Sequence, residues 1–88
     1  MEEQQTIRSV EDLGRILRAR RKAQKLTIHD AAALAGCSVQ FLHDLESGKP
    51  SIQMGRALEY ARKLGLRFDV AAPPETPEPP ARARLRRR

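Results

Sequence analysis

The stretch LTIHDAAALAGCSVQFLHDLESGKP, from Leu26 to Pro50, most constrains what this chain can fold into. It reads as two short helices joined by a tight turn. Thr27 can cap the first helix, and Asp30 three residues on approximates a capping box with Asp in the place of Glu or Gln. Ala35-Gly36-Cys37 supplies the turn: a small residue, a glycine free to adopt positive φ, then another small apolar residue. Ser38 is a good cap for the second helix, and Gly48 and Pro50 stop it.

A helix, a short glycine turn and a second helix make a helix-turn-helix unit, whose second helix can enter a DNA major groove. On that helix Leu42 and Leu45 form a buried edge with Phe41 at its side. Val39, Gln40, His43 and Asp44 fall on or near the open face. Before the unit, Ser9 to Gln24 reads as a helix, with Ser9 as cap, Glu11 and Asp12 in the first turn, and Leu13, Ile16 and Leu17 on one face. The rest of this stretch is loaded with Arg15, Arg18, Arg20, Arg21, Lys22 and Lys25, either as a solvated surface or with one or two groups on phosphates. After the unit, Ser51 is expected to cap a helix from Ile52 to Leu64, ended by Gly65. Its apolar stripe is Met54, Ala57, Leu58, Ala61 and Leu64. Gly55 inside that helix costs roughly 1 kcal/mol relative to alanine, so a close backbone approach is expected there. Tyr60 should cover the core edge while its hydroxyl stays wet.

Leu66 to Val70, LRFDV, changes period. Leu66, Phe68 and Val70 alternate with Arg67 and Asp69, the pattern of a half-buried strand. A lone strand in a helical domain leaves an unpaired edge. The same strand of a second chain is the simplest partner, and antiparallel pairing centred on Phe68 would set Arg67 opposite the partner's Asp69. Folding back beside Ile7 in a monomer is the alternative. The expected organisation is therefore a flexible N-terminus over 1–8, a helix-turn-helix domain over 9–65, a dimerisation strand over 66–71, and a disordered tail over 72–88. The tail has five prolines among residues 73–80 and then ARARLRRR, a stiff spacer ending in an arginine tip.

The chain of 88 residues has room for one small domain, and its aromatic content of 3% leaves little for base-stacking platforms. Net charge is +6 and the pI about 10.4, which favours a polyanionic partner. Residues 1–72 carry 12 Lys/Arg against 9 Asp/Glu, and residues 73–88 carry 5 Arg against 2 Glu, so the short tail holds half of the excess. The one cysteine, Cys37, rules out an intrachain disulfide and reads as core filling after the turn glycine. His29 and His43 are too isolated for a metal site, and no nucleophilic triad or phosphate loop is present. The expectation is a non-enzyme without cofactor or metal. No apolar run or leader is visible, so a cytoplasmic, nucleoid-associated protein with no membrane partner is expected.

The pieces LGRILRARRKAQKLT, AAALAGCS and FLHDLESGKPSI, followed by helix four and LRFDV, resemble the phage-repressor and Cro (XRE-like) family, and within it the HipB-type antitoxin regulators. The resemblance covers about two thirds of the chain. It implies an all-α, compact four-helix, lambda-repressor-like domain that dimerises on a palindromic operator in double-stranded DNA and acts as a transcriptional repressor. It also implies a structural ion pair between Arg21 and Glu46. It places Val39, Gln40 and Asp44 towards base edges, with glutamine suited to adenine N6 and N7. His43 could meet a base or a phosphate, Lys49 a phosphate, and Ser38 the backbone. Two positions depart from the family pattern. Ile28 stands where a phosphate-bracing glutamine is common. Asp44 would repel phosphates, and either accepts from a cytosine amine or holds a neighbouring arginine. HipB-type regulators are often partnered with a HipA-type kinase toxin, so an antitoxin acting mainly by protein–protein binding is the other reading, and a stand-alone monomeric repressor a third.

Overall fold

The computed structural model describes residues 4–74. Four helices follow one another: α1 (Val10–Ala23), α2 (Ile28–Ala35), α3 (Val39–Glu46) and α4 (Met54–Lys63). α1 packs on α3, while α2 packs on both α3 and α4.

Capping by short polar side chains starts the first three helices. Ser9 Oγ accepts from the Asp12 N–H at 3.1 Å, and Ser38 Oγ from the Phe41 N–H at 3.0 Å. Thr27 and Asp30 cap reciprocally, at 3.0 and 3.4 Å, which satisfies two otherwise orphaned donors. At the start of α1 the Asp12 carboxylate accepts from the Arg8 N–H at 2.8 Å and from Arg15 at 2.9 Å, and these bonds hold its pKa below the usual value.

The helix ends share one geometry. At the end of α3, the Gly48 N–H reaches the Leu45 carbonyl and the Lys49 N–H reaches that of Asp44, at 3.1 and 3.0 Å, a Schellman ending. α4 repeats it at Gly65, and α2 at Gly36. α1 does the same without glycine: Lys25 takes φ 62°, and Leu26 donates to the Arg21 carbonyl at 3.2 Å.

The core is built from Leu13 and Leu17 of α1, Ala31 and Ala32 of α2, Leu42 and Leu45 of α3, and Ala57, Tyr60, Ala61 and Leu64 along α4. Four of these ten are alanine, and the helices sit close enough that one large ring fills the remaining space. That ring is Tyr60, which is 2% exposed. The expectation of a wet hydroxyl is therefore corrected: Tyr60 OH is buried and, among the described residues, has no hydrogen-bond partner. Burial is the main cause that pushes its pKa up to about 12. An unpaired buried hydroxyl is unfavourable by about 1–3 kcal/mol. Tyr60→Phe should accordingly unfold no more readily than wild type in urea at pH 7. Above pH 10 the unfolded chain releases the phenolic proton before the folded one does, so the wild type loses stability between about pH 10 and 12 while Tyr60→Phe is spared that loss. A large destabilisation of the variant at pH 7 would mean that the hydroxyl has a partner.

Several expectations for the second half of the chain are corrected. α4 begins at Met54 after Gln53, with no side-chain cap, rather than at Ile52 after Ser51. Ser51 lies in a turn closed by the Ile52 N–H on the Lys49 carbonyl at 3.1 Å, and Ile52 packs against the core before the helix can start. Met54 and Leu58 are each 41% exposed, because the inward arc of α4 centres on Ala57, Tyr60, Ala61 and Leu64. Earlier in the chain, Leu34 is exposed, since Ile28, Ala31, Ala32 and Ala35 set the inward arc of α2. Among the described residues, nothing outside the adjoining turns of its own helix comes within 4 Å of a Cβ built on Gly55. The close backbone approach is at Gly14, where such a Cβ would lie 2.7 Å from the Glu46 carbonyl oxygen and 2.9 Å from its carbon.

No strand forms among the described residues. Within 66–70, Leu66 packs against the core, Phe68 is 40% exposed and Val70 almost fully exposed. Arg67 Nε bonds Asp69 Oδ2 of its own chain at 3.2 Å, the two side chains sharing one side of an extended segment. No ladder joins this segment to that around Ile7. The proline- and arginine-rich tail beyond Pro74 lies outside the described residues.

Candidate nucleic-acid interface

The turn between α2 and α3 sets the exposure of α3. Gly36 takes φ 70°, ψ 34°, a conformation that strains residues with a Cβ. Through this bend Leu42 and Leu45 face inward, while Gln40 and His43 stay on the open side. Val39 is half-buried and packed against the core, so less of it faces outward than the sequence suggests. Ser38 is exposed with its oxygen engaged as the cap.

Asp44 organises the open face. Its Oδ1 accepts from Gln40 Nε2 at 2.9 Å, and its Oδ2 lies 3.6 Å from Lys49 Nζ. Sequence reasoning offered a cytosine amine or a nearby arginine as partner; the chain's own partners are a glutamine and a lysine. The spacing of four between Gln40 and Asp44 is the helical signal that could have revealed the pair. One amide proton of Gln40 is used by Asp44. Its second amide proton and its carbonyl oxygen remain, and these are the donor and acceptor that a bidentate bond to adenine requires.

Beneath this face, Arg21 and Glu46 form a two-pronged fork: Nε to Oε2 at 2.7 Å and Nη2 to Oε1 at 3.0 Å. The two side chains are 9% and 7% exposed. Arg21 Nη1 also donates to the Leu26 carbonyl at 2.8 Å, tying α1 to the entry of α2. The hydrogen bonds that Arg21 donates to Glu46 are the main cause that raises the Arg21 pKa above its ordinary value, so the guanidinium stays charged.

The positive charge of α1 divides by role. Arg15 pairs with Asp12, and Arg21 with Glu46. Arg20 Nε and Gln24 Nε2 both donate to the Leu64 carbonyl, at 2.8 and 3.1 Å, holding the end of α4. Arg18, Lys22 and Lys25 are exposed and make no side-chain bond among the described residues. Arg18 lines a groove between α1 and α3 with Arg21, Ile28, His43, Glu46 and Ser47; sequence reasoning had not separated it from its neighbours. On the opposite side of the turn, Cys37 lines a cleft with Phe41, Arg56, Tyr60 and Lys63. Arg56 lies over the Phe41 ring at 4.3 Å, and burial pushes the Cys37 thiol pKa up. Among the described residues no three metal-ligating side chains gather, and no helix is long and apolar enough to cross a membrane.

The arrangement is a capped helix pair joined by a left-handed glycine, with the second helix open to solvent and buttressed by α1. Residues 12–72 match the family model described as a helix-turn-helix domain, and the chain belongs to that family. Among curated proteins it is 39% identical over 69 residues to an uncharacterized HTH-type transcriptional regulator, y4mF, of Sinorhizobium fredii, an alignment covering 78% of this chain and 91% of that protein.

Proposed function

We propose that this protein is a sequence-specific DNA-binding transcriptional regulator, a repressor that lays α3 in the major groove. The observation that carries this reading is the state of Gln40: exposed on α3, held by Asp44, with a donor and an acceptor left over. The relative's description as a transcriptional regulator supports it, as does the net charge of +6. In this reading Ser38 and Lys49 touch the DNA backbone, Val39 lies against the groove wall, and Asp44 acts through Gln40. A bidentate glutamine–adenine pair is worth about 1–3 kcal/mol of discrimination. Gln40→Ala should therefore lose roughly 5- to 150-fold of the preference for a selected duplex over a random one, read by gel shift. An unaltered preference would remove Gln40 from base reading.

The regulator acts as a homodimer on a palindromic site. Leu66, Arg67, Phe68, Asp69 and Val70 supply the joining segment: its alternation is strand-like, and Phe68 and Val70 lie exposed in the single chain. Met54 and Leu58 of α4 are also exposed apolar side chains. Sedimentation should find a dimer for wild type and a monomer for Phe68→Asp; a monomeric wild type would contradict this arrangement. A narrower role, antitoxin to a HipA-type kinase, follows the family resemblance alone. Co-purification with a kinase encoded beside it is the test, and failure to co-purify would set that role aside.

A further inference from the structure

We propose that the groove between α1 and α3 is a seat for one DNA backbone phosphate, held between Arg18 and His43. The proposal deepens the DNA-binding reading above and rests on it.

Most arginines of α1 are already occupied. Arg15, Arg20 and Arg21 each bond elsewhere in the chain, whereas Arg18 is exposed and bonds nothing among the described residues. Arg18 lies one helical turn before Arg21, so the two occupy neighbouring positions on one face of α1. That face lines the groove on one side; His43 of α3 and Ser47, which caps its end, line it with Ile28, the first residue of α2.

The groove suits an anion. Both Glu46 oxygens are taken by Arg21, and the Glu46 side chain is 7% exposed, so its charge is matched within the fork. The donors left at the groove are the Arg18 guanidinium and the imidazole of His43, whose side chain makes no bond among the described residues. The Ile28 side chain contributes no donor, so the side-chain grip on a phosphate beside the head of α2 comes from its flanks. Two donors on two helices around one concavity fit a tetrahedral anion. They do not fit the flat edge of a base, which Gln40, one turn earlier on α3, is placed to meet. His43 is thereby a positioning contact to the backbone, and sequence reading is left to Gln40.

The source is a phosphate of the duplex, because the same face carries Gln40 and because a phosphate contact by a cation contributes to affinity without sequence information. The test measures binding of the full chain to two duplexes, one enriched by the wild type from a random pool and one scrambled, between about 50 and 200 mM salt. Arg18→Gln should weaken both duplexes by the same factor, roughly tenfold at the lower salt, and flatten the slope of log K against log salt by about 0.9. Arg18→Lys should restore the slope. His43→Gln should weaken both duplexes equally. All three variants should melt with the wild type, since neither side chain makes a bond among the described residues. Replacing chloride by inorganic phosphate at constant ionic strength should leave the melting temperature of the DNA-free protein unchanged.

Wild-type affinity and slope in Arg18→Gln would overturn the seat while leaving DNA binding intact. Selective loss of the enriched duplex in His43→Gln would overturn it by making His43 a base reader. A rise in the melting temperature of the DNA-free wild type with inorganic phosphate, absent in Arg18→Gln, would overturn the duplex as the source of the anion. A wild type that binds neither duplex would remove the functional reading and the seat together.

Discussion

Glu46→Ala should destabilise the domain by about 3–5 kcal/mol, the usual consequence of stranding one partner of a buried ion pair. Arg21 would keep its charge at 7% exposure, with the Leu26 carbonyl as its one remaining acceptor. A domain of this size has total stability near the low end of about 5–15 kcal/mol, so the variant should be largely unfolded at 37 °C. Replacing both partners by apolar residues of similar volume, Arg21→Met with Glu46→Leu, should recover most of the loss, because the uncompensated charge goes with the pair. Urea denaturation of the three proteins measures this. A loss below about 1 kcal/mol in Glu46→Ala would mean that water reaches Arg21 and that the fork does not set the α1–α3 packing.

Gly14→Ala and Gly55→Ala should have opposite signs, although the chemical change is identical. At Gly14 the new methyl meets the backbone of Leu45 and Glu46. Backbone cannot rotate aside, so α1 and α3 must separate. Overpacking of this kind costs about 1–3 kcal/mol, and we expect the upper part of that range after the gain in helix propensity. At Gly55 the methyl enters open space and should stabilise by up to about 1 kcal/mol. Thermal melts of both variants decide the matter. A neutral Gly14→Ala would show that the two helices are not in contact there. Because Gly14 touches the carbonyl of Glu46, its effect and that of Glu46→Ala should be markedly non-additive.

The two glycines also show where sequence reasoning reaches its limit. Both stand inside helical patterns, and propensity marks both as costly, but only the three-dimensional path of α3 places a backbone against one of them. Helix ends were legible because their signals are local: Ser9, Thr27 and Ser38 each cap within three residues, and Gly36, Gly48 and Gly65 each take positive φ. Ser51 misled because a capping residue signals a start only where the following residues are free to turn helical, and Ile52 is first drawn to the core. Tyr60 misled for a different reason. Its polar tip suggested the surface, but the alanines of α2 and α4 leave a space that only a ring of its size fills. At the candidate interface, the exposure of Gln40 and His43 followed from helical periodicity. The division of the α1 arginines did not, because Arg18 and Arg20 look alike in sequence and differ in which helix end comes near them.

The most direct measurement is the affinity of the purified full chain for an enriched duplex in competition with an excess of scrambled duplex, followed by fluorescence anisotropy. The enriched duplex should be preferred by at least about a thousandfold, and affinity should fall steeply as salt rises. Equal affinity for the two duplexes, or no binding at about 50 mM salt, would contradict it.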